Sequence, residues 1–64
     1  MKINGKHYKF TENSTISEIL DDLNVNKEKV VVEVNLNIIS REEYDSFTVK
    51  ENDFLEVLSF VGGG

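Results

Sequence analysis

The sequence predicts an α+β domain: a mixed sheet of four to five strands, with one main helix on one face and a short helical turn beside it. Three observations carry that prediction. Asn4-Gly5 splits an alternating amino-terminal segment, "TISEILDDL" has the apolar spacing of one amphipathic helix, and "VVVEV" and "FLEVLSFV" are strand-like runs downstream of it.

Taken in order, "MKINGKHYKF" reads as a hairpin, because both central positions of a two-residue type I′ turn need positive φ, which asparagine and glycine tolerate. That register sets Ile3 opposite Lys6 and Met1 opposite Tyr8. Met1, Ile3, Tyr8 and Phe10 then share one face, and Lys2, His7 and Lys9 the other. Thr15 and Glu18 are spaced as a capping box, and Ile16, Ile19, Leu20 and Leu23 form a single stripe behind it. "NVNKEK" breaks the helix. "VVVEV" resumes as a strand with Val30, Val32 and Val34 inward and Val31 and Glu33 outward. "NLN" is a turn, "II" a brief strand, and "SREEYD" a helical turn opened by a second capping box from Ser40 to Glu43. "FTV" is expected to be extended and "KEND" to turn. In the last strand Leu55, Val57, Ser59 and Val61 take one face, and Phe54, Glu56, Leu58 and Phe60 the other. A right-handed crossover through the helix would lay a later strand parallel to the first, which is the β-grasp arrangement.

At 64 residues the chain is expected to be one domain over residues 1–61, with 62–64 as a flexible glycine tail. A domain this small buries only about 60% of its unfolded surface and leaves little room for an internal active-site cavity. The chain has no cysteine, which excludes disulfides, thiolate metal sites and a cysteine nucleophile. Twelve acidic against seven basic residues give a net charge of -5, which repels phosphate backbones and favours a basic protein partner over nucleic acid. No signal-like apolar segment and no run near the roughly 20 residues of a membrane span is present, so a cytoplasmic protein is expected, monomeric when free and not bound to membrane.

No catalytic or metal site emerges from the residue pattern. His7 sits between Lys2 and Lys9 on a solvated face. Asp21 and Asp22 lie on the polar side of the helix, and Glu42, Glu43 and Asp45 crowd a turn; all read as solvated charge able to steer the chain toward a basic partner. The last strand is more informative, since one helix covers only one face of a sheet. With Leu55 and Val57 toward the helix, Leu58 and Phe60 face solvent as a docking surface. Phe54 either joins them or closes a second small core against Ser40–Phe47. Beyond the strand, Gly62, Gly63 and Gly64 lack Cβ atoms and can enter a channel too narrow for other residues. Three extended residues reach about 10 Å, enough to place a terminal carboxylate in another protein's active site.

These residues resemble the thiamine-biosynthesis sulfur carrier family, a ubiquitin-like β-grasp group, over essentially the whole chain. The resemblance rests on the hairpin, on "TISEILDDL" against the family's T-[VI]-x-[ED]-[LI]-L-x-x-L helix, on "VNLNIISREEY" against V/I-N-x-x-[IV]-[VI]-P-R-x-x-[WY/F], and on the terminal Gly-Gly. Ser40 replaces the usual proline before Arg41, and Gly62 stands where a small residue such as alanine is common. The resemblance implies a carrier and not an enzyme: no cofactor is bound, and ATP is used by the partner. An E1-like adenylyltransferase would adenylate the Gly64 carboxylate as Gly62 and Gly63 thread its active site. A sulfur donor enzyme would supply the sulfur of a thiocarboxylate, and thiazole synthase would receive it. Leu58, Phe60 and Phe54 would dock these partners. Two other readings remain at this point: the small subunit of molybdopterin synthase, with the same chemistry, and a ubiquitin-like interaction module whose glycines are incidental.

Overall fold

The computed structural model describes residues 1–9 and 11–60. The expectations for Phe10, for Val61 and for the glycine tail at 62–64 lie outside the described residues. Within them the chain forms β1 (Lys2–Ile3), β2 (Lys6–His7), α1 (Ile16–Leu23), a 3₁₀ turn (Lys27–Lys29), β3 (Val30–Val34), β4 (Asn37–Ile39), a second 3₁₀ turn (Arg41–Glu43) and β5 (Phe54–Ser59). The five strands make one sheet in the order β2-β1-β5-β3-β4. The last strand runs parallel to the first and antiparallel to β3, as the crossover argument requires.

The hairpin has the expected register, Ile3 opposite Lys6, around Asn4 and Gly5 at φ 54° and 82°. Asn4 does more than turn the chain. Its amide donates to the Val57 carbonyl at 3.2 Å and accepts from the Val57 N–H at 2.8 Å, so one side chain continues the β1–β5 ladder after the strand has turned away. At the start of β5 the Asn35 amide oxygen accepts from the Phe54 N–H at 3.1 Å. The start and the middle of β5 are thereby held by asparagine side chains.

The helix opens on the predicted box: Thr15 Oγ1 accepts from the Glu18 N–H at 3.2 Å, and the Glu18 carboxylate accepts from the Thr15 N–H at 2.8 Å. A helix start leaves four backbone donors without intrahelical partners. Here Ile16 donates to the Phe47 carbonyl at 3.1 Å and Ser17 to that of Tyr44 at 2.9 Å, so the 44–47 segment is tied to the head of α1. The buried Ser17 hydroxyl donates to the Asp45 carboxylate in the same contact. The helix ends on Asn24 at φ 62°, with Asn24 donating to Asp21 at 3.0 Å and Val25 to Leu20 at 3.1 Å. Those two bonds make a Schellman closure with asparagine in the left-handed place that glycine usually takes.

The helix stripe of Ile16, Ile19 and Leu20 packs on Ile3, Val30, Val32, Val34, Leu55 and Val57, with Ile39, Tyr44 and Val49 completing the core and Leu23 at its margin. One local expectation is corrected, and two others are sharpened. The second capping box does not form: the Ser40 hydroxyl donates to the Glu43 carboxylate at 3.1 Å and caps no backbone N–H. The segment "FTV" contributes a single bridge, Thr48 to Thr15, because its backbone is spent on the helix head and not on the sheet. The "NKEK" break is itself a 3₁₀ turn, opened by Asn26 accepting from the Glu28 N–H at 2.9 Å.

Candidate functional site

The helix covers one face of the sheet, and alternation sends every second residue of β3, β4 and β5 to the other. On β5 this separates Leu55, fully buried at 0% exposure, from Leu58 and Phe60, exposed at 51% and 50%. The expected facing of the last strand is therefore observed. Phe60 lies just past the strand end, yet its N–H still donates to the Lys29 carbonyl at 3.0 Å. The sheet thus holds the chain through residue 60, immediately before the tail that the sequence singles out at Gly62, Gly63 and Gly64.

The strand register shows what stands next to these residues. Leu58 lies opposite Val31, Glu56 opposite Glu33, and Glu33 opposite Ile38 on its other side. Ile38 is 70% exposed. Val31, Ile38, Leu58 and Phe60 therefore form an apolar patch on the outer face, with Glu33 and Glu56 along one border. Phe54 does not join it. Six residues separate Phe54 from Phe60, about 20 Å of extended chain, and Phe54 is paired with Lys2 at the far end of the strand. It lines a shallow hollow with Met1, Lys2, His7 and the 51–53 turn and does not close a second core against Ser40–Phe47.

Sequence reading missed Ile38 and the Glu33–Glu56 contact. Alternation in "VVVEV" turns Val31 and Glu33 outward, but which residues of other strands lie beside them depends on pairing, for which one sequence carries no signal. Below Phe60, Lys27, Val30, Ile39, Arg41 and Tyr44 line a groove of about 250 Å³. Among the described residues no cluster of three or more His, Asp or Glu is placed to hold a metal ion, and no helix is long and apolar enough to cross a membrane.

Five strands in this order with a single helix across one face define a ubiquitin-like β-grasp protein. The sequence model of the ThiS family matches residues 1–64, and the chain belongs to that family. It is 34% identical to the sulfur carrier protein ThiS of Bacillus subtilis, covering all of this chain and 98% of that one. The crystal structure of the thiamine biosynthesis protein ThiS from Geobacter metallireducens superposes with a TM-score of 0.80 at 39% identity, covering 98% of this chain and 96% of that one. The chain is also 39% identical over 62 residues to a thiazole synthase of Paramagnetospirillum magneticum, where it spans only 19% of the relative's length.

Proposed function

We propose that this chain is a sulfur carrier for thiamine biosynthesis, and that its reactive group is the carboxylate of Gly64. The observation that carries the reading is the family match over residues 1–64, joined to relatives of the same length named as ThiS. A free carboxylate is a poor electrophile. Transfer of AMP from ATP, with release of pyrophosphate, makes its oxygen part of a good leaving group, and hydrosulfide then displaces AMP to give a thiocarboxylate. The chain has no cysteine on which to hold sulfur as a persulfide, in keeping with a carrier loaded at a carboxylate. ATP binding and the catalysis of both steps fall to an E1-like adenylyltransferase, and a separate enzyme donates the sulfur. The setting is the cytoplasm.

Thiazole synthase is the proposed acceptor. Two relatives named thiazole synthase contain a segment like this chain as 19% of their own length. A carrier segment within the same polypeptide as the synthase supports the pairing of the two as separate proteins. The test is intact-mass spectrometry after incubation with an E1-like adenylyltransferase, ATP and a sulfur donor. The expected result is a shift by the sulfur-for-oxygen difference, mapped to the last peptide and abolished by deletion of Gly64. An unchanged mass with a partner active on its own carrier sinks the reading.

A further inference from the structure

The outer face of the sheet contains a contact that folding alone does not favour. Glu33 and Glu56 lie directly opposite one another on neighbouring strands, both half-buried, and like charges so placed repel. Among the described residues the one ion pair joins Lys27 to Asp21, away from these carboxylates. On one side the neighbours of the pair are apolar: exposed Ile38 beside Glu33, then half-buried Val31 and exposed Leu58 in the next row, and Phe60 beyond; on the other side stand Phe54 and, opposite it, Lys2.

An occupant of this face must satisfy both features. A purely apolar surface would bury two carboxylates without compensation, and an acidic or phosphate-bearing one would add to the repulsion. A cation bordered on one side by apolar side chains fits. Arginine fits better than lysine, because its planar fork donates to two carboxylates at once and gives up its hydration more readily than an ammonium.

We propose that the outer sheet face docks a protein surface presenting one arginine at the edge of an apolar area, the guanidinium seating between Glu33 and Glu56 while Val31, Ile38, Leu58 and Phe60 meet the apolar area. The proposal rests on the carrier reading only in its choice of partner, thiazole synthase.

The experiment titrates the wild-type chain, the double variant Glu33→Gln/Glu56→Gln and an off-face control, Glu42→Gln/Glu51→Gln, against purified thiazole synthase at low and high salt. The face variant is expected to bind at least tenfold more weakly. Salt is expected to weaken wild-type binding and to affect the face variant much less. Its melting temperature is expected to hold or rise, since the substitutions remove a repulsion, so weaker binding cannot be ascribed to lost folding. The control carries the same change in net charge and is expected to bind as wild type does. A loss smaller than tenfold in the face variant, or an equal loss in the control, overturns the proposal. Sulfur loading, read by mass, reports on the carrier reading separately. A wild-type chain that loads sulfur, while the face variant binds undiminished, refutes the arginine seat alone. A chain that neither loads nor binds refutes both.

Discussion

The Tyr8 hydroxyl donates to the Asp22 carboxylate, joining the amino-terminal hairpin to the polar side of α1. Burial of the ring, followed by the hydrogen bond to Asp22 and the charge of that carboxylate, pushes the phenol up to about 12 from the ordinary 10. The folded chain therefore holds this proton more tightly than the unfolded chain does. Its contribution to stability is complete below pH 10 and disappears as pH rises from 10 through 12. Tyr8→Phe is expected to cost about 1 kcal/mol at pH 7 through the lost hydrogen bond. The variant should also be spared part of the alkaline loss, so that the gap between the two proteins narrows between pH 10 and 12. Urea denaturation of both at pH 7 and pH 11.5 measures this, and a gap that stays constant contradicts the assignment. Sequence alternation alone turned Tyr8 inward, but its partner lies 14 positions away on another element and was legible only once the helix had been docked.

Among the elements, the two hairpins show how far turn chemistry can be read from residue types. Asn4-Gly5 announces its turn. Asn35-Leu36 makes the same kind of turn, with φ of 51° and 72°, but places a leucine where positive φ crowds its Cβ against the backbone. Leu36 is also 73% exposed, so packing gives little in return for the strain. Leu36→Gly is expected to raise stability by about 0.5 kcal/mol, the relieved strain outweighing the greater freedom of glycine in the unfolded chain. In a domain of this size that is about 2–4 °C in Tm. A melting temperature that falls instead would mean that the Leu36 side chain stabilises the fold by packing. The same contrast runs through the helical turns. Thr15 and Glu18 were legible as a box because a helix of 8 residues follows them. Ser40 and Glu43 have identical spacing, but only three residues of 3₁₀ turn follow, and the serine turns to the glutamate side chain instead. Spacing proposes a cap, and the length of helix behind it decides whether the cap forms.

For the whole molecule, one strand divides its two faces between the core and the outer apolar patch. The inward face of β5 was legible from alternation, since a sheet with one helix has only one face to bury. The composition of the outward patch was not, because Ile38, Glu33 and Glu56 come together only through the pairings on either side of β3. That division makes two substitutions a short distance apart behave in opposite ways. Leu55 is fully buried at the centre of the core, and Leu55→Ala is expected to cost about 2–5 kcal/mol through lost burial and the cavity left behind. A domain of this size has little more than that to lose, so the variant should be largely unfolded at 37 °C by circular dichroism. Phe60 is half exposed on the opposite face. Phe60→Asp should change stability by no more than about 0.5 kcal/mol, as surface substitutions generally do. It should nevertheless weaken binding to the proposed partners by tenfold or more, because it removes an aromatic contact and places an uncompensated carboxylate in the apolar part of the docking face. Thermal melts and a binding titration on the same preparation measure both quantities. If Phe60→Asp instead lowers Tm by as much as a core substitution, Phe60 belongs to the folding side of the strand, and the patch loses the residue that links it to the glycine end.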